Sequence, residues 1–284
     1  MRVDLHTHTT ASDGTLTPTE LIIKAKQLDI SAISITDHDT VDGVQEAIAA
    51  GKSYGVEVIS GVELSVNHEH GSLHLLGYGF DVNHSEFTKT VAKLRDSRSE
   101  RNVKIIARLN ELGYAISEDD VAAVAGDGTI GRGHIGYALV KSGLFPTIKS
   151  TFAELLNRGA KAYVDRFRLE LRDAVMLIHS AGGVAVWAHP GVHREELPDM
   201  LNLLPGWVGF GLDGLESDYS QHTIAFRDQM RKLAEQLGII FTGGSDFHGA
   251  LKPSIKLCDG AEGNPIDERC YYNLKDRIQQ RVEK

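Results

Sequence analysis

Apolar residues change their spacing along this chain, and the changes mark a succession of short strands and longer helices. Val3, Leu5 and Thr7 alternate with Asp4, His6 and His8. That is the two-residue period of an extended segment, so the polar three share one face and the others face packing. A first helix is expected to start at Thr17-Pro18-Thr19-Glu20. Thr17 can cap the free amides, Pro18 suits the first helical position, and Glu20 completes a capping box. Leu21, Ile22, Ala25 and Leu28 then recur at helical spacing. Residues 32–36 form a short buried strand, and a helix covers about 44–54. Strands follow at 56–59 and across 61–63, then 64–66 and 73–78 pair as a hairpin across Asn67-His68-Glu69-His70-Gly71.

From 86 to 112 the pattern is helical and basic on one face. Residues 114–160 give short helices and glycine-rich turns without a strong strand. The expected organisation is a barrel domain of residues 1–92 and 166–284, with residues 93–165 as a small helical insert. The rhythm resumes with a helix near 171–180, a strand at 184–187, strands near 213–215 and 239–242, and a closing helix near 265–282. Strands and helices in alternation imply a parallel sheet, either open or closed into a barrel.

A chain of 284 residues suits one α/β barrel. It has no apolar run of signal-peptide or membrane-span length, so the expected location is cytoplasmic, with no membrane partner. Cys258 and Cys270 lack paired spacing and are expected as buried apolar groups rather than a disulfide or a zinc site. The formal net charge of −9 argues against a broad nucleic-acid surface. Between residues 93 and 168, however, 13 Lys and Arg face 9 Asp and Glu. This stretch is locally basic on an acidic body, which fits a small anionic substrate better than a long polymer.

The polar residues fall repeatedly at strand ends. His6 and His8 end the first strand, and Asp13 follows in its loop. His38 lies past the second strand, Glu63 past the third, and His74 on the strand after the hairpin turn. His189, in Ala188-His189-Pro190, ends the strand that begins at 184, and Asp246 and His248 follow the last strand. Strand ends of βα barrels meet at one face, so these nine side chains are expected to converge. Nine donors are too many for one cation and suit two or three. Imidazole and carboxylate without thiolate favour Mn, Fe or Zn over calcium.

Asp4-Leu5-His6-Thr7-His8, Ser12-Asp13-Gly14, Ile35-Thr36-Asp37-His38-Asp39, Gly61-Val62-Glu63, Leu73-His74-Leu75-Leu76-Gly77, Ala188-His189-Pro190 and Ser245-Asp246-Phe247-His248 together resemble the polymerase and histidinol phosphatase (PHP) family. Within it the chain is similar to the nucleotide phosphoesterase branch. The resemblance implies a distorted (β/α)7 barrel with a small helical insert and a cluster of two or three divalent cations, Mn first, Fe or Zn as alternatives. It places His6, His8, Glu63 and Asp246 on one metal. Glu63 bridges to a second, held also by His74 and His189, and Asp13, His38 and His248 serve a third.

The activity so implied is hydrolysis of the 3′-phosphate of a nucleoside 3′,5′-bisphosphate such as pAp by a metal-bridged hydroxide. Alternatives are 5′-to-3′ trimming of short 5′-phosphorylated RNA and hydrolysis of histidinol phosphate. A non-catalytic metal-binding module is the alternative from a different class, and C–N bond hydrolysis a minor one. His248 and His193 are candidate acids for the leaving group. Arg101, Arg132, His134 and Arg194 are candidates for binding the substrate phosphate. Members of the branch carry Arg-Pro-His where this chain has Arg132-Gly133-His134, and Gly136 replaces a common alanine. Both glycines are expected to loosen that loop. Trp207 and Phe210 are expected to pack rather than stack on a base.

Overall fold

Strand β1 (Arg2–Thr7) is buried from Val3 onward and pairs in parallel with β2 (Ile30–Ile35), which pairs in parallel with β3 (Glu57–His68). The computed structural model describes residues 1–125, 130–193 and 195–283. Strand β4 (Gly71–Tyr78) runs antiparallel to β3 and to β6 (Val184–Trp187). Parallel pairing then continues through β7 (Gly214–Tyr219) to β8 (Ile240–Gly244), and a two-residue strand, β5 (Leu169–Glu170), lies beside β3. The sheet closes where the end of β8 meets β1. His8 N–H donates to the Phe247 carbonyl at 2.9 Å, and Asp246 N–H donates to the His6 carbonyl at 2.8 Å. Seven strands thus make a closed barrel whose one reversed strand is β4.

Closure depends on a missing side chain. A Cβ on Gly244 would fall on the Cβ of His6, far inside van der Waals contact. Only glycine lets the last strand lie this close to the first.

Helices α1 (Pro18–Gln27) and α2 (Val44–Tyr54) cover β1 to β3, and α7 (Leu171–Ser180), α8 (Leu197–Gly209), α9 (Ile224–Leu237) and α10 (Arg269–Val282) cover the rest. The capping box of α1 is formed: Thr17 Oγ1 accepts from Glu20 N–H at 3.2 Å, and Glu20 Oε2 accepts from Thr17 N–H at 2.9 Å. Between β4 and β5 the chain leaves the barrel through α3 (Ser85–Glu111), α4 (Glu118–Ala125), α5 (Arg132–Lys141), α6 (Ile148–Thr151) and a π-helical turn, Phe152–Leu156. Ile105, Leu109, Val121, Ile135, Leu139 and Leu155 form an apolar cluster of their own there.

The pattern at 56–66 resolves differently from expectation. Two short strands merge into the single β3, because its first half pairs with β2 and its second half with β4. Trp207 packs edge-on against Trp187, with ring centres 5.3 Å apart, and Phe210 lies against the same core. Cys258 and Cys270 are buried free thiols. Among the described residues no helix is long and apolar enough to cross a membrane.

Candidate active site

Glu63 occupies the centre of the polar strand ends. It is fully buried, and its two oxygens face five imidazoles. Oε2 stands 3.3 Å from His6 Nε2, 3.2 Å from His8 Nε2 and 3.1 Å from His38 Nδ1. Oε1 stands 2.7 Å from His74 Nδ1 and 2.9 Å from His189 Nε2. Sheet register explains part of this convergence. His74 on β4 is directly opposite Ser65, two residues along β3 from Glu63, so all three share one face.

The remaining expected donors border the same space. Asp246 Oδ1 is 3.2 Å from His8 Nε2 and 3.7 Å from His6 Nε2. Asp13 Oδ1 is 3.4 Å from His248 Nε2 and 3.6 Å from His8 Nδ1, and its Oδ2 is 3.8 Å from His38 Nε2. Three donor groups compact enough for an ion emerge: His6, His8, Glu63 and Asp246; His8, Asp13, His38 and His248; and His38, Glu63 and His74. His38 thus faces two of them. His189 belongs to none and joins through Glu63.

This donor set fits divalent cations. Donors about 2.1 Å from one ion stand roughly 3.0 Å apart in an octahedron and roughly 3.4 Å apart in a tetrahedron, the range of the three contacts of Glu63 Oε2. His6 Nε2, His8 Nε2, His38 Nδ1, His74 Nδ1 and Glu63 Oε2 are buried without a hydrogen-bond partner among the described residues. Such orphaned atoms in a packed interior require an explanation, and a shared ion supplies one. The electrostatics agree. Burial would raise the Glu63 carboxyl, yet His38, His74 and His6 hold it well below the usual carboxylate range. Burial opposes charge on His8, but Asp246 and Glu63 push it up to about 9. The cage draws positive charge to itself.

Backbone strain marks the same places. His189, before a proline, has φ 31°, and Asp246 has φ 59°. A residue before a proline does not adopt the His189 value without constraint from its surroundings, while the Asp246 value is a left-handed one that aspartate tolerates.

Other carboxylates hold the donors in place. Glu216, which sequence reasoning missed, is fully buried on β7. Its Oε1 accepts from His6 Nδ1 at 3.0 Å, and its Oε2 accepts from His189 N–H at 2.8 Å. Its signal was an acidic residue within a short, otherwise buried strand. Asp4 bonds to backbone and hydroxyl groups and not to the imidazoles of its own strand. It accepts from Ser245 N–H, Ser245 Oγ and Cys258 N–H at 2.9, 2.6 and 2.8 Å, and burial pushes it up to about 6 despite those bonds. Asp4 anchors the loop that carries Asp246.

A cavity of about 310 Å³ opens onto Asp13, His38, His74 and His248. Five arginines line it: Arg98, Arg101, Arg132, Arg166 and Arg168, with Lys252 on the cluster side. Arg101 is 3% exposed, and its Nε has no partner among the described residues. Burial and then its neighbours Arg98, Arg132, Arg166 and Arg168 push its guanidinium down to about 8. The Arg132 guanidinium lies 5.9 Å from the ring centre of Phe152 and 5.8 Å from that of Tyr163, and it donates to the Leu156 carbonyl at 2.9 Å. Sequence reasoning missed Arg98, Arg166, Arg168 and Lys252, because a basic side chain on a helix or loop gives no sign of the direction in which it points.

The other expected residues lie elsewhere. His134 is 1% exposed, accepts from Gly131 N–H at 3.1 Å through Nδ1, and does not line the cavity. His193 also lies outside it, and burial, then His189 and His74, lower it to about 4, so it is neutral near pH 7. Arg194 falls outside the described residues. The expected loosening by two glycines does not occur. Both lie in helix α5, and a Cβ on Gly136 would stand 2.7 Å from Thr151 Oγ1, so this glycine permits close packing.

The chain is similar to several known proteins. The PHP domain model matches residues 4–174. A 5′-3′ exoribonuclease of Haemophilus influenzae is 34% identical over 247 residues, which span 87% of this chain and 90% of that protein. A 3′,5′-nucleoside bisphosphate phosphatase of Chromobacterium violaceum is 33% identical over 280 residues, 97% of each chain. The solved structure of a Bifidobacterium adolescentis protein described as a metal-dependent phosphoesterase superposes with a TM-score of 0.83 at 31% identity, covering 97% of this chain and 96% of that one. A buried imidazole and carboxylate cage beside an arginine-walled cavity, on a barrel shared with these relatives, makes this chain a member of the PHP family and a phosphoesterase.

Proposed function

We propose that this chain removes the 3′-phosphate from a nucleoside 3′,5′-bisphosphate such as pAp, leaving a nucleoside 5′-monophosphate. In this reading His6, His8, Asp13, His38, Glu63, His74, His189, Asp246 and His248 hold two or three divalent cations; the mixture of imidazole and carboxylate fits Mn, Fe or Zn alike, and Mn is taken first on the family resemblance. Cations bound there neutralise phosphoryl oxygens and acidify water. The insert, residues 93–165, contributes Arg98, Arg101 and Arg132 to the cavity, and Arg166 and Arg168 follow just beyond it.

The observation that carries the proposal is Arg101. Among the described residues its guanidinium has no anionic partner, and such a buried cation is costly unless a ligand supplies the charge. A phosphate distant from the one being cut is such a ligand, and arginine forks match its oxygens. A bisphosphate places one phosphate at the cluster and the other among the arginines.

The proton for the leaving oxygen is best assigned to neither histidine. The His248 Nδ1–H donates to the Asp246 carbonyl at 2.8 Å, which leaves the Nε2 lone pair facing Asp13, the arrangement of a ligand. His193 lies outside the cavity. Lys252 lines the cavity with its Nζ 2.7 Å from Asp246 Oδ2, and we assign it to stabilising charge on the leaving oxygen.

Trimming of short 5′-phosphorylated RNA is a second reading, favoured by Gly133. Among the described residues, apart from its own helix and chain neighbours, no atom lies within 4 Å of where its side chain would begin, so the cavity rim beside Arg132 is open there. Phosphate or nucleotide release by the Mn-loaded protein from pAp, a 5′-phosphorylated trinucleotide and histidinol phosphate ranks the readings. The expected order places pAp first. Faster turnover of histidinol phosphate would overturn the proposal.

A further inference from the structure

Asp39 connects the cluster to the cavity. It is fully buried, and its backbone adopts a left-handed conformation at φ 53°, which aspartate tolerates better than most residues. Its N–H donates to the Glu63 carbonyl at 2.9 Å, and Glu63 N–H donates to the Asp37 carbonyl at 3.2 Å. The loop carrying His38 is thereby joined to the strand carrying the central carboxylate. The Asp39 side chain faces the cavity walls instead. Oδ1 accepts from Ser65 N–H at 2.9 Å. Oδ2 accepts from Arg98 Nη2 at 2.7 Å, Arg98 Nε at 3.2 Å and Arg166 Nη2 at 2.5 Å. Arg98 comes from α3 and Arg166 from the segment returning to the barrel, so one carboxylate unites three separate stretches of chain.

Two guanidiniums on one buried oxygen exceed what neutrality needs. A single arginine would balance Asp39, and buried ion pairs contribute little net stability. The second arginine leaves a positive charge facing a cavity that both arginines line. We infer that Asp39 is a positioning residue, which fixes Arg98 and Arg166 at a set distance from the cluster so that their remaining N–H groups meet the substrate's second phosphate. The inference rests on the phosphate-cavity reading above. Asp39 acts through the arginines and touches no reacting atom.

Asp39→Asn isolates the charge. Asparagine keeps the size, the tolerance of positive φ and an acceptor for Ser65, but it cannot hold two guanidiniums. In the Mn-loaded protein, calorimetric affinity for AMP should fall at least about tenfold and KM for pAp should rise in parallel. Saturated turnover should stay within about threefold of the parent, with bound Mn unchanged. Unchanged AMP affinity would overturn the inference. So would loss of Mn, or a collapse of turnover at constant KM, since either would mean that Asp39 serves the cluster through Glu63. Arg166→Met alone should weaken AMP binding, and adding Asp39→Asn to it should cost less than the product of the two separate losses. Fully multiplicative losses contradict action through the arginine. Should Asp39→Asn fail to fold, Arg166→Met, which leaves Arg98 on the carboxylate, must still raise KM selectively, or the inference falls. A parent that binds AMP without cleaving pAp defeats only the proposed reaction, and the affinities still decide the role of Asp39. A parent that does not bind AMP defeats the inference.

Discussion

Glu216 shows how much of this site is held by residues that touch no ion. Its carboxylate grips His6 Nδ1 and the backbone of His189, so it fixes one ring and the start of a strained turn together. Removing its charge weakens the hold on the His6 ring. Glu216→Gln is expected to lower metal affinity or turnover by roughly 10- to 100-fold while retaining the fold; metal content and steady-state rates measured side by side would test this, and parent values for both would refute it. His74→Ala tests a donor directly. Its side chain is 36% exposed, so truncation removes little packing, and severe loss of turnover with an unchanged melting temperature is expected. Arg101→Met removes a buried cation that has no anionic partner among the described residues. Charge-assisted hydrogen bonds are worth about 1.5–3 kcal/mol, so KM for pAp should rise roughly 10- to 100-fold. An equal KM would mean that the substrate never reaches Arg101.

Helix α5 tests the element scale. Gly136 packs against Thr151, and a methyl group there must displace the hydroxyl. Gly136→Ala should destabilise the protein by about 1–3 kcal/mol, the usual cost of overpacking. Gly133 is one turn earlier in open space within the first turn of the same helix, where proline is tolerated. Gly133→Pro should stabilise by about 0.4–1 kcal/mol by restricting the unfolded chain. Denaturant melts of the two variants should therefore move in opposite directions, and shifts of one sign would contradict this account of the helix. The two glycines look alike in the sequence, because a glycine that permits close approach and one that merely leaves space carry the same letter. Local spacing did make α1, α2, α7 and β6 legible, since each is set by its own apolar period, cap or length. The convergence of the nine strand-end side chains was legible because barrel topology brings strand ends together. Glu216, Asp39 and the additional arginines were not, because their roles depend on partners distant in the chain.

At the scale of the molecule, the barrel is joined edge to edge where β8 meets β1, and the cluster lies on that seam. Ions that bind only the folded protein stabilise it by mass action, about 2.7 kcal/mol at a hundredfold excess over Kd. Chelated protein is therefore expected to melt roughly 5–10 °C below Mn-loaded protein, measurable by scanning calorimetry with and without added Mn. Coincident melts would mean that the cage contributes nothing to the closed fold. His6 and Asp246, at opposite ends of the sequence, stand 3.7 Å apart across the seam. During synthesis the early histidines leave the ribosome long before the acid that completes their site exists. Completion of that site thus waits for the segment that carries Asp246, and an ion captured there would come from the pool met at that later stage.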